Sequence, residues 1–367
     1  MKKVGVITYH RAFSYGAQLQ AYALASYLKM EGFDAEVIDY SDIGEGKRPG
    51  VSFRTIKGFV KSFISYVLSI PNEDKRRERF AYFLNNYIPK SVKRYPTAES
   101  LQGIESEYDF FITGSDQVWC PIINLGDLNF LLDFVKEKRK KIAYAASFGV
   151  SQLESSNFAA YKNCLSSFKT ILIREKDGQS LVEEMLGCKP EIVLDPTFLI
   201  PATQWEDMAV SPFPADEKYI LCFKIITAPP VYNQYIQALH KLTGYKVVHI
   251  DSAYRYKPVR GTLYSKGGPL ELLGLIRNAA IVVTNSFHGT VFSIIFKKPF
   301  FTILNENGRN SRMIELTGTF GLEHRLVDQS SALPTLESIS INYEKITSLV
   351  EKSTGRSKQL LLDSLNS

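Results

Sequence analysis

The sequence lacks the short cysteine spacings that mark zinc sites and disulfide frameworks. Its four cysteines, in a chain of 367 residues, are far apart and form no Cys-x-x-Cys pair. Buried free thiols are the better interpretation of such isolated cysteines. The cysteines are Cys120, Cys164, Cys188 and Cys222.

Long apolar runs are also missing. No window approaches the ~20 apolar residues that a membrane-spanning helix requires. The opening MKKVGVITYH starts like a signal peptide, but its apolar run stops at Thr8–His10 and no small-residue cleavage site follows. We therefore expect a cytoplasmic protein.

Charge of one sign is in only small excess, because 44 lysines and arginines face 38 aspartates and glutamates, a difference of 44 − 38 = 6. This excess suits an anionic small molecule or a lipid headgroup as well as nucleic acid. No segment favours nucleic acid in particular, so we expect none as a partner. Charge alone does not identify the ligand.

The familiar nucleotide and catalytic motifs are absent as well. The loop at residues 10–18 lacks the Gly-x-Gly-x-x-Gly spacing of a dinucleotide fingerprint, and no P-loop, His-Glu-x-x-His, Gly-x-Ser-x-Gly or acidic calcium loop occurs. We expect neither a bound cofactor nor a metal.

A strand–helix alternation is present from the start of the chain. A strand at 4–7, an amphipathic helix at Ala17–Met30 and a strand at Ala35–Tyr40 predict a βαβ unit with parallel strands. The fold class is therefore α/β, with a Rossmann-like beginning. Further strands are predicted at Phe110–Thr113, Lys141–Ser147, Thr170–Arg174, Ile192–Leu194, Tyr219–Phe223, Lys246–Ile250, Ile281–Thr284 and Pro299–Ile303.

The length predicts two domains. We place the first at residues 1–160, with a helical insertion at about 50–100, and the second at 161–335. A charged helical tail at 336–367 could dock back on the first domain.

The segment 53–70 has an apolar helical face with basic residues largely apart from it. It predicts either a helix packed on the sheet or an interfacial helix that contacts the inner face of the membrane.

The strongest candidate site is Asn285-Ser286-Phe287-His288-Gly289-Thr290, between an apolar strand and a helix. Backbone N–H groups and the helix dipole favour phosphate at such a turn. Ser286 and Thr290 add hydroxyl donors, and His288 can clamp an anion or carry a proton. The structural alternative is a Ser286 helix cap, a Gly289 that permits close packing and a hydrogen-bonded core histidine.

Polar residues at other strand ends are further candidates, because open parallel sheets bind ligands there. Arg174 and Lys224 could each bind an anion, although Arg174 could instead pair with Glu175 at the surface. Asp116, in Gly114-Ser115-Asp116, could serve as general acid or base, or could cap the following turn.

These segments together resemble the polysaccharide pyruvyl transferase family. The resemblance rests on VGVITYHRAFSYGAQLQAYAL, YDFFITGSDQVW, ILIREKDG, VLDPTFL and above all GPLELLGLIRNAAIVVTNSFHGTVFSIIFKKPF. It implies two Rossmann-like domains that face each other across a cleft, as in GT-B glycosyltransferases, with mostly parallel sheets.

The resemblance also implies phosphoenolpyruvate as co-substrate and a sugar acceptor, lipid-linked in one version. Some members have Arg-x-His where this chain has Ser286-Phe287-His288, so one guanidinium is absent. His288 and Asp116 are the catalytic candidates, and either could be the acid. Donor binding is assigned to Arg174, Ser286, Phe287, His288, Gly289, Thr290 and Lys224, and acceptor binding to Arg11, Ser14, Tyr15, Gln18, Gln117 and Trp119.

The expected reaction moves enolpyruvyl onto a sugar of a surface polysaccharide, such as an exopolysaccharide or capsule, and forms a pyruvate ketal. Two alternatives remain open at this point. A GT-B-like glycosyltransferase would use the same cleft for a nucleotide sugar, and a sugar- or phosphate-binding protein could share the fold without catalysis. The sequence leaves the acceptor sugar and the oligomeric state open.

Overall fold

The computed structural model describes residues 1–40, 72–225, 228–251, 260–306 and 310–366. The predicted helix at 53–70 lies outside these residues.

The first half of the chain forms a parallel sheet of seven strands within the described residues, in the order β3-β2-β1-β4-β5-β6-β7. Every neighbouring pair in it is parallel, as the strand–helix alternation predicts. The strands are β1 (Lys3–Ile7), β2 (Asp34–Tyr40), β3 (Lys90–Tyr95), β4 (Phe110–Thr113), β5 (Lys141–Ala146), β6 (Thr170–Ile173) and β7 (Glu191–Ile192).

The second half repeats this topology in six strands of the described chain, in the order β10-β9-β8-β11-β12-β13. All of its pairs are parallel too, so both sheets have the doubly wound Rossmann order. The predicted fold class is confirmed. The strands are β8 (Tyr219–Lys224), β9 (Lys246–Asp251), β10 (Thr262–Leu263), β11 (Ile281–Thr284), β12 (Phe300–Ile303) and β13 (Leu326–Val327).

Helices cover the faces of both sheets, and their apolar sides join the buried cores. The helix after β1 begins at Tyr15, two residues before the predicted start, and Gly32 follows its end with a φ of 85° that favours glycine. The helices are α1 (Tyr15–Met30), α2 (72–86), α3 (Pro121–Asn124), α4 (Ser155–Leu165), α5 (Lys176–Leu186), α6 (Ala202–Met208), α7 (Pro230–Thr243), α8 (Pro269–Asn278), α9 (Phe287–Ile295), α10 (Ser311–Thr319), α11 (Leu336–Ile339) and α12 (Tyr343–Asn366).

The change from the first sheet to the second comes later than the predicted boundary at residue 160. β6 pairs with β5, and β7 pairs with β6, so residues up to 192 supply strands of the first sheet. Arg174, at the end of β6, therefore belongs to the first sheet, although the sequence analysis assigned it to the second domain.

The C-terminal helix α12 returns to the end of the first sheet. Ser357 Oγ accepts a hydrogen bond from the Leu194 N–H at 3.0 Å, and Lys2 Nζ donates to the Leu365 carbonyl at 2.8 Å. At its other end, the Tyr343 hydroxyl donates to the Lys298 carbonyl of the second domain at 2.7 Å. The tail thus contacts both halves of the chain.

In the described ranges, no helix combines the length and the apolar character needed to cross a membrane.

A buried ion cluster fixes the loop that follows β1. Asp39 accepts from Arg11 Nε at 2.5 Å and Arg11 Nη2 at 2.8 Å, and it lies 2.9 Å from His10 Nε2. Burial opposes ionisation, but hydrogen bonds from His10 and Arg11 outweigh it and hold the pKa of Asp39 well below its usual range. This cluster places the residues between β1 and α1.

We predict that Asp39→Asn lowers the free energy of unfolding at pH 7 by roughly 2–4 kcal/mol, because it leaves buried basic groups without their counter-charge. The depressed pKa means that the contribution of Asp39 is complete above the ordinary aspartate value of about 3.9 and is lost as pH falls further. Urea unfolding of wild type and variant at pH 7 and pH 3 measures this.

The matched control is Asp34→Asn, on the same strand but exposed, which should change stability by less than about 0.5 kcal/mol. An Asp39→Asn effect that is the same at both pH values would contradict the assigned role of the ion cluster.

Candidate functional site

A cavity of about 440 Å³ lies where the carboxyl ends of the two sheets meet. Its wall combines the loop after β1, the residues after β4, and the segments that follow β8, β11 and β12. Crevices outside the carboxyl ends of parallel strands are the usual ligand sites of such sheets. The lining residues are Tyr9, Ala12, Phe13, Ser14, Tyr15, Gly16, Ala17, Asp116, Gln117, Ile123, Phe223, Ile225, Asn285, Ser286, Phe287, His288, Asn305, Arg312 and Met313.

The N-terminus of α9 forms one wall of this cavity. Ser286 caps the helix, since its Oγ accepts from the Gly289 N–H at 3.2 Å. Ser286, Phe287 and His288 all line the cavity, so the first turn and its positive dipole end lie against it. This is the geometry of an anion site at a helix N-terminus.

Gly289 and Thr290 serve packing rather than the cavity wall. A Cβ at Gly289 would lie 2.4 Å from Thr284 Oγ1, so only glycine lets α9 approach β11. The Thr290 hydroxyl is buried against Thr302 Oγ1 at 2.7 Å and is turned to the core. The structural alternative considered for Gly289 therefore matches its position, and Thr290 also lies outside the cavity lining, whereas both had been assigned to donor binding.

Asp195, just after β7, contacts charged and polar side chains from three segments of the chain. Its Oδ2 accepts from Arg174 Nη1 at 2.9 Å and from Ser115 Oγ at 2.9 Å, and its Oδ1 accepts from the Thr197 hydroxyl at 2.7 Å. Burial favours the neutral acid, but His288 and Arg174 outweigh it and hold the pKa of Asp195 far below the usual range. Asp195 is therefore a buried carboxylate.

His288 brings the second domain to the same carboxylate. Its Nε2 lies 3.6 Å from Asp195 Oδ2, too far for a good hydrogen bond, and it has no hydrogen-bond partner among the described residues. The ring is only 7% exposed and lines the cavity. It also packs against the first domain, because a Cβ at Gly16 would lie 1.9 Å from its Nδ1.

Arg174 lies behind the cavity wall. Its side chain donates to Ser115 Oγ and to Asp195, and its guanidinium carbon is 4.6 Å from the centre of the Phe287 ring. It is 4% exposed and does not line the cavity. Arg174 and His288 thus both lie beside Asp195, and the Phe287 ring lies between Arg174 and the cavity.

The neighbouring Glu175 is buried beside the same guanidinium, with its Oε2 3.7 Å from Arg174 Nε. Burial raises the pKa of the Glu175 carboxyl, while Arg174 and Arg312 oppose the rise. Glu175 is thus buried rather than the surface partner of Arg174 that the sequence allowed.

Asp116 and Gln117 line the cavity from the first domain. Asp116 has a φ of 76°, which is unusual for a residue with a side chain, and its Oδ1 accepts from the Gln117 N–H at 2.9 Å. The carboxylate is partly exposed at the cavity and also accepts from the following residue, so its position fits both the catalytic and the turn-cap interpretations. Asp116 Oδ1 also lies 4.0 Å from Arg174 Nη2.

Of the remaining residues assigned to acceptor or donor binding, two line the cavity and four do not. Ser14 lines the cavity, and Tyr15 does so too, although the Tyr15 hydroxyl donates to the Gly267 carbonyl at 2.8 Å and its ring is buried. The other four lie outside the lining. Arg11 pairs with Asp39, Gln18 is buried in α1, Trp119 is fully buried and donates to the Phe130 carbonyl, and Lys224 ends β8.

Arg312, at the start of α10, was missed by the sequence analysis. It is half-buried, lines the cavity, and has its guanidinium carbon 5.8 Å from the centre of the Phe287 ring. Burial lowers the pKa of Arg312 and the charge of Arg174 lowers it further. No sequence motif marked Arg312, because it is the only basic residue of α10.

Solved structures with a similar fold cover the whole chain. Anabaena HepE, crystallised in complex with UDP and glucose, has a TM-score of 0.53 at 10% identity, and the match covers 100% of both chains. UDP-GlcNAc 2-epimerases from Methanocaldococcus jannaschii and Neisseria meningitidis follow, with 13% and 11% identity and TM-scores of 0.47 and 0.48. The alignments cover 99% of both chains for the first, and 100% of this chain and 99% of that chain for the second.

At these identities the likeness concerns the fold alone, and the HepE match supports the two-domain GT-B-like arrangement. Comparison with curated proteins gave no match.

The profile of the polysaccharide pyruvyl transferase family matches residues 15–307, which begin at the first residue of α1 and include Asp116, Arg174, Asp195 and His288. The match extends over most of the 367 residues, so the chain belongs to the polysaccharide pyruvyl transferase family.

Proposed function

We propose that this protein transfers the enolpyruvyl group of phosphoenolpyruvate to a sugar of a surface polysaccharide, or to its lipid-linked precursor, and closes a pyruvate ketal. Membership of the family indicates pyruvyl transfer to a polysaccharide. We further propose that phosphoenolpyruvate is the donor and that a ketal is the product. We also propose that the reaction takes place in the cytoplasm, at or away from the membrane. The observation that carries it is His288, which lines the cavity at the N-terminus of α9 beside the buried Asp195 carboxylate.

The cavity suits a small, highly charged donor. The first turn of α9 presents backbone N–H groups, and His288 and Arg312 add basic side chains to the same wall. Phosphoenolpyruvate carries a phosphate and a carboxylate on three carbons, so it gains from several cationic groups close together.

His288 has the position of a proton donor in this cavity. Its Nε2 is without a hydrogen-bond partner in the described structure and lies 3.6 Å from the Asp195 carboxylate, so the ring faces the cavity with a nitrogen available for proton transfer. We assign the base to Asp116, which lines the cavity from the opposite domain, and it would accept a proton from an acceptor hydroxyl. Ser14 and Gln117 line the cavity from the same domain and can hydrogen-bond a sugar.

The proposed reaction forms two carbon–oxygen bonds, one with each of two sugar hydroxyls. A proton from the acid adds to the methylene carbon of the enolpyruvyl group, and the oxygen of a first sugar hydroxyl bonds to the adjacent carbon and loses its proton to a base. The carbon–oxygen bond to phosphate breaks, phosphate leaves with the bonding electrons, and a second hydroxyl bonds to the same carbon and loses its proton. The products are one cyclic ketal and inorganic phosphate, whose negative charge is stabilised by the basic wall.

The direct assay incubates the protein with phosphoenolpyruvate and lipid-linked or nucleotide-linked sugars. We expect phosphate release together with the mass gain of one pyruvate ketal on the sugar. Release of a nucleotide from a sugar donor instead would identify a glycosyltransferase, and binding without turnover across the acceptor panel would identify a binding protein.

We predict that His288→Ala lowers turnover by roughly 10²- to 10⁴-fold, the usual cost of losing a general acid–base group. The matched control is His324→Ala, which removes an exposed histidine from the same domain and should leave turnover within twofold. Steady-state kinetics of ketal formation measures both. Full activity of the His288 variant would remove this histidine from the mechanism.

We also predict that Gly16→Ala impairs turnover, because its Cβ would overlap the His288 ring at the contact between domains. Overpacking of this kind typically costs about 1–3 kcal/mol of stability. Thermal unfolding and kinetics are compared with Gly355→Ala, on α12, where an added Cβ meets no atom within 4 Å. A Gly16→Ala protein with unchanged turnover and stability would show that the tight approach of Gly16 to His288 is not required.

A further inference from the structure

We propose that Arg312 is the guanidinium that binds an anionic group of the donor, while Arg174 acts as a positioning residue that holds the site together. This inference rests on the proposed pyruvyl transfer and names the residue that contacts the substrate. Arg312 lies beyond residues 15–307, the segment that matches the family profile.

The two arginines have different access to the cavity. Arg312 is half-buried and forms part of the cavity lining, together with Ser286, Phe287 and His288. Arg174 is 4% exposed and is absent from that lining. A substrate in the cavity can therefore touch the Arg312 guanidinium without rearrangement of the protein.

The partners of the two guanidiniums differ as well. Arg174 has the Asp195 carboxylate at 2.9 Å and the Ser115 hydroxyl at 3.0 Å, so its charge is neutralised inside the protein. Arg312 instead lies against the ring of Phe287, and no described carboxylate forms an ion pair with it. Arg312 thus keeps its forked donors available for a carboxylate or phosphate.

Phe287 lies against both arginines at the N-terminus of α9. The guanidinium carbons of Arg174 and Arg312 lie 4.6 Å and 5.8 Å from the centre of its ring, and Phe287 is the first residue of α9. Two positive groups around one ring repel each other: burial and the charge of Arg174 lower the pKa of Arg312, while the Glu175 and Asp116 carboxylates raise it. A bound anion at Arg312 would relieve this repulsion.

The donor chemistry requires a second cationic site of this kind. Phosphoenolpyruvate presents a phosphate and a carboxylate, and the N-terminus of α9 can hold only the group at its end. Arg312 is the second residue of the next helix of the same domain and supplies the additional fork.

The test is titration calorimetry of phosphoenolpyruvate with wild type, Arg312→Met and Arg312→Lys, with inorganic phosphate as a second probe. We expect Arg312→Met to weaken binding of phosphoenolpyruvate by roughly 10- to 100-fold, the scale of a charge-assisted hydrogen bond, and to raise KM more than it lowers kcat. Arg312→Lys should recover part of the affinity because it keeps the charge without the planar fork.

Arg277→Met, at the exposed end of α8 in the same domain, is the matched control and should bind like wild type. Arg174→Lys should lower thermal stability by more than Arg312→Met does, since it disturbs the buried contacts to Asp195. Wild-type affinity in a folded Arg312→Met protein would overturn the assignment of Arg312. Absence of binding by the wild type itself would instead overturn phosphoenolpyruvate as the donor.

Discussion

The buried Asp195 carboxylate is the interaction on which the arrangement of the site depends. Arg174, from the end of β6, and Ser115, from the end of β4, donate to it from the first sheet. His288, from α9 of the second sheet, lies 3.6 Å from the same oxygen. Because a buried charge is costly unless it is paired, this carboxylate favours the arrangement in which Arg174 and Ser115 donate to it and His288 lies beside it.

The loop between β1 and α1 completes that arrangement from the other side. Asp39 fixes the loop through Arg11 and His10, and Gly16, in the first turn of α1, allows His288 to approach closely. The position of His288 is therefore determined by a carboxylate behind it and a glycine beside it. A residue held this way keeps its geometry while the rest of the cavity remains open for substrate.

The sequence located most strands, but it missed the short β10 and β13, placed β3 inside a predicted helical insertion, and did not assign the strands to sheets. Apolar runs and helical periodicity located most strands within a residue or two, since those patterns are local. The boundary at residue 160 was misplaced because β6 and β7 look like strands of either sheet. Both sheets are parallel and have the same order, so only long-range pairing separates them.

The site was predictable where a motif combined polar residues with a strand–helix turn, as for Ser286, His288 and Asp116. Asp195 was visible as a strand ending, but its role depends on Arg174 and His288, which are 21 and 93 residues away along the chain. No sequence pattern marked Arg312. Trp119 and Arg11 lie in segments that were predicted to bind the acceptor, but each contacts another residue of the protein instead. Whether such a residue faces the cavity depends on the direction of its side chain, and the spacing of residues in the sequence does not show that direction.

The most direct test of the central claim is a crystal structure of the protein with phosphoenolpyruvate bound. The account predicts the ligand in the 440 Å³ cavity, with one anionic group at the first turn of α9 and within hydrogen-bond distance of Arg312, and with His288 still beside Asp195. Phosphoenolpyruvate bound outside this cavity, or a His288 ring turned away from both Asp195 and the ligand, would contradict it.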